Sequence, residues 1–341
     1  MSGVADRVTE HILRAPASGQ RLVETILERT LRERRPCHAY LLAGPEGLGK
    51  RAYARLMAKS LNCTGSEEAQ TSACGTCTHC RQIQEGIHPD FIWISPEGSS
   101  IKIAQMRAVR KEAAFSPSKG TYRVVVLEDA HRMTTEAANS ILTILEEAPY
   151  HTVLLLISSN PDALVGTILS RCFRLSFRPL PRADVAGLLS SELAMEPGEA
   201  RVWADISCGN PGRALALSQD EQFAFLRQQI FLVLESLPAA GDRSIHEWAS
   251  QLADMGKENN ALEILELFWR DLLVLSSGGL RDLINQDFYE GLHPLVRKAS
   301  PSDLLEGFDN IQVARSCFAA NVNRLLIWEV LLLKLQMAFR R

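Results

Sequence analysis

The chain has 341 residues, enough for two or three domains, because single hydrophobic cores stop growing near about 250 residues. Hydrophobic residues make up 46% and charged residues 23%, as in ordinary soluble globular proteins, and the formal net charge of −3 excludes a general attraction to nucleic acid. The first residues lack a signal-peptide pattern, and no uncharged apolar run is long enough to span a bilayer. We therefore expect a cytoplasmic protein without membrane contact.

The first half of the chain alternates between helical and strand-like patterns. Residues 1–38 are predicted to be mostly helical, and later helical stretches include Ile103–Ala114 and Thr135–Glu147. Between them lie five apolar runs that predict a parallel sheet covered on both faces. The predicted strands are Ala39–Ala43, Phe91–Ile94, Tyr122–Leu127, Val153–Ile157 and Cys172–Phe177.

The pattern changes at Arg178-Pro179-Leu180-Pro181, because proline can continue neither a strand nor a helix there. Short amphipathic helices follow, with a break at Gly209-Asn210-Pro211-Gly212, and from about Glu221 onward the whole chain is predicted to be helical. The sequence thus predicts an α/β core at 1–178, a small helical lid at 179–219 and a larger all-helical domain at 220–341.

The stretch Gly44-Pro45-Glu46-Gly47-Leu48-Gly49-Lys50-Arg51 lies between the first predicted strand and a predicted helix. In that context Gly44, Gly47 and Gly49 let backbone amides converge on phosphate oxygens, and Lys50 reaches the terminal phosphates. The pattern then requires Ser or Thr as a Mg²⁺ ligand, but Arg51 is a cation without an acceptor. The sequence predicts a phosphate cradle in which binding of ATP with Mg²⁺, and its hydrolysis, are in doubt.

Polar residues after later strands extend this candidate site. In phosphate-loop ATPases an Asp at a strand end holds Mg²⁺ and the next Glu polarises the attacking water. Here Glu128 precedes Asp129, the reverse order. After the next strand, Ser159 is the candidate to orient a water against the terminal phosphate, the alternative being a plain turn. Arg213, in the first turn of a predicted helix, would face a nucleotide, or else be a solvated charge.

An arginine precedes the last predicted strand, in Ser170-Arg171-Cys172. Arginine suits phosphoryl charge, because its planar fork is always charged and donates two parallel hydrogen bonds. At a subunit edge Arg171 could act on a neighbour's nucleotide in trans. The alternative is an ordinary surface charge.

Four of the eight cysteines have the spacing of a metal site, in a Gly/Ser/Thr-rich insertion at about 62–82. They are Cys63, Cys74, Cys77 and Cys80. Four thiolates bind Zn²⁺ tetrahedrally and leave no open position, so a structural zinc is expected, with His79 as a weaker alternative ligand. The other four cysteines are scattered and are predicted to be buried: Cys37, Cys172, Cys208 and Cys317.

Together these residues resemble the bacterial clamp-loader family of AAA+ proteins over nearly the whole chain. The four cysteines after the phosphate-loop helix and the Ser-Arg-Cys triplet are the most specific features. The other stretches that carry the resemblance are Gly19-Gln20, His38-Ala39-Tyr40, Glu128-Asp129-Ala130-His131, the helical stretch Glu136–Glu147 and Gly212-Arg213.

The resemblance implies an α/β AAA+ core with a zinc module, a three-helix lid and a helical collar through which five subunits form a ring. In this family the assembly, with motor (gamma/tau) and delta subunits, opens a sliding clamp and places it on primed DNA. The resemblance further implies a stator with a defective nucleotide site, whose Arg171 is a finger in the adjacent motor's ATP site. Two alternatives remain: a motor subunit that hydrolyses ATP, and a zinc-containing nucleic-acid-binding protein.

Overall fold

The computed structural model describes residues 21–33, 35–65, 73–147, 151–320 and 322–340. These residues form two compact units. The N-terminal unit contains the described residues up to Met195 together with Gly209–Arg213, and the C-terminal unit contains Glu196–Cys208 and the residues from Ala214 onward. The predicted lid at 179–219 is shared between these units, so its status as a separate domain, like the other predicted boundaries, stays a prediction.

The N-terminal unit is built on a five-stranded sheet in which every paired strand runs parallel to its neighbour. The strand order is β2-β3-β4-β1-β5, so β1 lies inside the sheet. Each strand begins and ends within one residue of its predicted limits. The strands are β1 Ala39–Ala43, β2 Phe91–Ile94, β3 Arg123–Leu127, β4 Thr152–Ser158 and β5 Phe173–Ser176.

Helices cover both faces of this sheet, as the apolar runs predicted. Alternate residues of a strand point to opposite faces, so Tyr40 and Leu42 belong to one buried cluster and Leu41 to another. The helices of this part of the chain are α1 Arg21–Glu33, α2 Lys50–Asn62, α3 Thr78–Glu85, α4 Ile103–Ala113, α5 Thr135–Glu147, α6 Gly166–Leu169 and α7 Arg182–Leu193. Met57 of α2 packs in the first cluster, and Met106 of α4 packs in the second.

The predicted N-terminal helical region is described only in part. Helix α1 is present, and the backbone carbonyl of its Val23 accepts a hydrogen bond from Tyr53 Oη at 3.3 Å. Residues 1–20, including the Gly19-Gln20 pair, lie outside the described residues.

The rest of the chain is helical, and its described residues contain no strand. Helix α9 begins at Pro211, so the predicted break at 209–212 ends earlier than expected, with Pro211 in the first helical position. The helices are α8 Pro197–Ile206, α9 Pro211–Ser218, α10 Glu221–Ser236, α11 Asp242–Met255, α12 Glu258–Ser276, α13 Tyr289–Val296, α14 Pro301–Ala319 and α15 Arg324–Met337. Within the described ranges, none of the helices has the length and apolar character needed to cross a membrane.

Candidate functional site

The glycine-rich loop connects the carboxyl end of β1 to the amino end of α2, in the strand-loop-helix order that the sequence predicted. Its three glycines have φ angles of 147° (Gly44), 78° (Gly47) and 85° (Gly49), which L-residues rarely adopt. A Cβ atom at Gly44 would collide with the carbonyl oxygen of Phe177. Both the backbone conformation and the close packing therefore require glycine in this loop.

Lys50, the first residue of α2, is buried and folds back on the loop. Its Nζ donates to the carbonyl oxygens of Gly44 at 2.6 Å and of Pro45 at 2.5 Å. Burial lowers the pKa of Lys50 from 10.5 to about 8, although the nearby carboxylates of Glu46 and Asp129 act to raise it. The lysine retained from the phosphate-loop pattern is thus already bound to the chain's own backbone.

Arg51, in place of the expected Ser or Thr, forms an ion pair with Glu128. The arginine side chain is 67% exposed and the Glu128 side chain only 8% exposed. The other carboxylate oxygen, Oε2, accepts hydrogen bonds from Trp93 Nε1 at 2.9 Å and Ser95 Oγ at 2.7 Å. The structure therefore brings together two predicted site residues, and adds Trp93 and Ser95, which the sequence analysis missed.

The second acid and the neighbouring polar strand end lie close to the same edge of the sheet. Asp129 has a left-handed φ of 48°, and its Oδ2 is 3.9 Å from Arg132 Nη1. At the end of β4, Ser158 Oγ lies 3.3 Å from His131 Nδ1. Ser159 follows as a half-buried residue, and its predicted role in orienting a water stays a prediction.

Residues 209–213 pack directly on the phosphate loop within the N-terminal unit. Asn210 Nδ2 donates to the carbonyl of Glu46 at 2.6 Å, and the Gly212 amide donates to the carbonyl of Gly47 at 3.0 Å. Asn210 Oδ1 also accepts from the Arg213 amide at 3.0 Å, which caps the amino end of α9. Arg213 therefore lies in the first helical turn, as predicted, in a segment attached to the loop.

Arg171 lies between α6 and β5 and is held by two contacts. Its Nη2 is 2.7 Å from Glu146 Oε1, and its Nη1 donates to the carbonyl of Thr167 at 3.0 Å. The arginine side chain is 38% exposed. Its guanidinium group is thus oriented by its own chain while remaining accessible to solvent.

The sheet register places Arg171 away from the phosphate loop. Phe173, two residues after Arg171, pairs with Tyr40 near the amino end of β1. Gly44 follows the carboxyl end of that strand, and the paired part of the two strands is about 10 Å long at about 3.3 Å per residue. Arg171 therefore lies at the amino ends of the strands, and the chain's own phosphate loop lies at their carboxyl ends.

The four clustered cysteines converge as predicted. Their sulfur atoms all lie within 4.8 Å of one another, with Cys63 and Cys77 4.0 Å apart. Four thiolates at a Zn–S distance of about 2.3 Å would be about 3.8 Å apart, so the arrangement fits a tetrahedral zinc ion. Hydrogen bonds from the amides of Cys77 and Thr76 lower the pKa of Cys74 to about 5, which favours the thiolate that binds metal.

The remaining histidine and cysteine predictions had mixed outcomes. His79 Nδ1 is 2.8 Å from His88 Nε2, so its ring is paired with another histidine. The prediction that the four scattered cysteines are buried was wrong, because Cys37 and Cys208 are exposed and the other two are half-buried. Cys208 has a φ of 52°, and it lies in the turn between α8 and α9 rather than in a core.

A buried ion pair at the other end of the sheet was not anticipated. Asp90 accepts hydrogen bonds from the amides of Ser118, Lys119 and Gly120 at 2.7 to 2.8 Å and from Arg123 Nη2 at 3.0 Å. Although burial acts to raise it, these donors lower the pKa of Asp90 to about 2. The sequence signals were an acid directly before one predicted strand, Phe91–Ile94, and an arginine near the start of another, Tyr122–Leu127.

The parallel sheet, the glycine-rich loop after β1 and the acids after β3 define the α/β core of an AAA+ protein. Comparison with known families narrows this class. The model of the family described as "DNA polymerase III, delta subunit" matches residues 19–181, and the model described as "DNA polymerase III, delta subunit, C terminal" matches residues 222–337.

Individual relatives agree with the family models. The DNA polymerase III subunit delta' of Bacillus subtilis is 30% identical over 319 residues, which cover 92% of this chain and 95% of that protein. The chain belongs to the DNA polymerase III delta' family of the clamp loader.

Two further similarities lie beyond delta' itself. The DNA polymerase III subunit tau of Salmonella typhimurium is 29% identical over 324 residues, covering 88% of this chain and 50% of that protein, so the chain spans half of tau. A crystal structure of a gamma subunit-related protein from Thermotoga maritima is 20% identical, with a TM-score of 0.39, and covers 93% of this chain and 99% of that one.

Proposed function

We propose that this chain is the stator of a clamp loader, working with gamma/tau motor subunits and a delta subunit in a heteropentamer. The assembly would open a sliding clamp and place it on primed DNA. The similarity to both delta' and tau proteins supports a place in such an assembly. In this proposal the chain hydrolyses no ATP itself and contributes Arg171 to the ATP site of a neighbouring subunit.

One observation carries the proposal: the groups that would hold Mg²⁺ and terminal phosphates in this chain are engaged by other atoms of the chain instead. Arg51 pairs with Glu128, and Lys50 binds two loop carbonyls. Phosphoryl transfer depends on charge stabilisation by a metal ion and a free lysine. A site in which these groups are already engaged supports a subunit that stays in one state while others turn over ATP.

Arg171 supports the trans role by its position. It lies at the end of the strands opposite to the phosphate loop. This position supports action on a nucleotide bound by a neighbouring subunit rather than on one bound by the same chain. Its guanidinium is preoriented by Glu146 and Thr167 and still solvent accessible. An arginine that stabilises the transferring phosphoryl group contributes about 10³-fold or more at the site it serves.

A motor subunit is the second candidate, favoured by the intact loop glycines and Lys50. ATP turnover by the purified chain, and by the assembled complex with clamp and primed DNA, distinguishes the two. If the chain is a stator, it should hydrolyse no ATP alone. The complex with Arg171→Ala should then lose the fraction of its ATP turnover that comes from the neighbouring site served by Arg171. Turnover by the chain alone that is lost in Lys50→Ala identifies a motor.

The matched control for Arg171→Ala is Arg174→Ala, which removes an exposed arginine from β5 in the same region. We expect the control complex to keep wild-type turnover. Assembly is monitored by size-exclusion chromatography, so that a missing subunit is not mistaken for a missing finger. Equal turnover in Arg171→Ala and wild-type complexes would reject the trans role.

A further inference from the structure

We propose that the Arg51 guanidinium replaces a divalent cation at Glu128, so that the acids at this sheet edge bind no Mg²⁺ even when a nucleotide is present. The inference rests on the proposed function, since it explains at the same site why hydrolysis is lost. In this inference Arg51 takes the place of the metal ion at Glu128. A merely lost ligand would leave the acids available to metal.

The Glu128 carboxylate is occupied on both sides. Oε2 already accepts two hydrogen bonds, from Trp93 and Ser95. Oε1 is buried, and among the described residues it has no aligned hydrogen-bond donor, so its compensation is the charge of Arg51. A metal ion could reach this oxygen only by displacing the guanidinium.

The local charges also balance without a metal. The carboxylates of Glu46 and Asp129 stabilise the charged form of Lys50. Arg51 pairs with Glu128, and Arg132 lies near Asp129. Three cations thus face three acids. A divalent ion would add two positive charges beside these three cations. The carboxylates that could bind it are already paired with them.

The coordination chemistry disagrees with Mg²⁺ as well. Mg²⁺ requires near-octahedral oxygen ligands at about 2.1 Å, and phosphate-loop proteins supply one from the Ser or Thr hydroxyl. Arg51 has five N–H donors and no acceptor. The residues around Glu128 therefore suit a fixed guanidinium and do not fit a magnesium site.

The test is Mn²⁺ binding to the full-length, zinc-loaded chain in the presence of ATP. Mn²⁺ replaces Mg²⁺ at oxygen sites and is counted by electron paramagnetic resonance after the protein is separated from free nucleotide. We expect no Mn²⁺ on the wild-type chain, whether or not ATP binds, and one Mn²⁺ per chain in Arg51→Thr. Arg55→Thr is the control, since it removes an arginine one helical turn later, 5.2 Å from the Trp93 ring centroid, and should stay free of Mn²⁺.

Either of two results would overturn the inference: stoichiometric Mn²⁺ on the wild-type chain, or an Arg51→Thr chain that gains none. If Arg51→Thr is unstable, its melting temperature provides the answer, because adding Mg²⁺ to ATP should raise the melting temperature of the variant above its value with ATP alone and should add nothing for the wild type. Absence of that rescue, with no bound Mn²⁺, contradicts the inference. Bound Mn²⁺ without turnover would refute this inference alone, whereas a missing Arg171 effect would refute only the proposed function.

Discussion

Two buried carboxylates lie at opposite ends of the strand pair β2 and β3, and each is matched with an arginine. Asp90, before β2, pairs with Arg123, whose side chain is 5% exposed. Glu128, after β3, pairs with Arg51, whose side chain is 67% exposed. The same two chemical groups thus form a sealed structural link at one end and a solvent-facing pair at the other.

The difference between these pairs lies in how many donors the protein supplies. Asp90 has three backbone amides in addition to its arginine, so both oxygens are satisfied without water. Glu128 has two side-chain donors on one oxygen and only a charge near the other. A buried charge stabilises a fold only when its remaining lone pairs are satisfied, so the first pair is structural, whereas the second depends on an arginine that solvent also reaches.

The largest expected effect is at the amino end of β2, where the helix that carries the candidate zinc ligands Cys77 and Cys80 is followed by His88 and Asp90. In Cys77→Ser the zinc content should fall from one per chain to none, because three thiolates leave the tetrahedral site incomplete. Hydrogen exchange should then accelerate in 73–90 and stay unchanged in 44–51. Cys172→Ser is the control and should keep its zinc; full zinc content in Cys77→Ser would remove the metal assignment.

Replacing each acid by its amide compares the two ends directly. Asp90→Asn leaves Arg123 buried without a counter-charge, so the free energy of unfolding should fall by about 4 kcal/mol. Glu128→Gln keeps an acceptor for Trp93 and Ser95, and Arg51 is hydrated, so the loss should be about 1 kcal/mol or less. Urea denaturation measures the loss of unfolding free energy in each variant. Equal losses would show that the two ion pairs do not differ in the way proposed.

The Asp90 pair should also make stability depend on pH. The pKa of Asp90 falls from 3.8 to about 2 on folding, so the folded state binds fewer protons than the unfolded state in that interval. The stabilisation is therefore fully present above pH 4 and is lost as the pH falls through about 2. Unfolding curves of wild type and Asp90→Asn should converge over this range, and a constant gap would contradict the assignment.

The smallest expected effect is at Asn210, which joins the segment 209–213 to the phosphate loop within the N-terminal unit. Asn210→Ala loses both the helix cap and the bond to Glu46 and should cost about 1 kcal/mol. Asn210→Asp keeps the cap acceptor but cannot donate to the Glu46 carbonyl, so it isolates the second contact. If both variants unfold at the wild-type urea concentration, the segment 209–213 does not stabilise the loop.

The sheet could be predicted almost to the residue because buried parallel strands are continuous apolar runs that end at polar residues. The phosphate loop and the cysteine cluster were equally visible, since their chemistry depends on spacing over a few residues. Spacing alone predicted that Lys50 and Arg51 lie in the glycine-rich loop region and that Cys63 and Cys77 come together as candidate metal ligands.

Contacts between distant segments could not be predicted in this way. Trp93 and Ser95 contact Glu128 only because β2 lies beside β3. The order of strands in a sheet cannot be predicted from the sequence of a single strand. Asn210 was interpreted as part of a break, and nothing nearby in the sequence indicates that its side chain contacts Glu46. Asp90 follows a proline and looks like a turn residue until the 118–120 backbone folds over it.

The ion pair between Arg171 and Glu146 sets how readily this arginine is available to another molecule. Because both side chains are substantially exposed, the pair contributes at most about 1 kcal/mol, which is a factor of about five between held and released states. The ion pair is therefore broken for at least about one sixth of the time at equilibrium, and more at high ionic strength, while the hydrogen bond to the Thr167 carbonyl is a separate contact. Glu146 therefore orients the arginine without locking it in place, because an exposed pair this weak is readily exchanged for water.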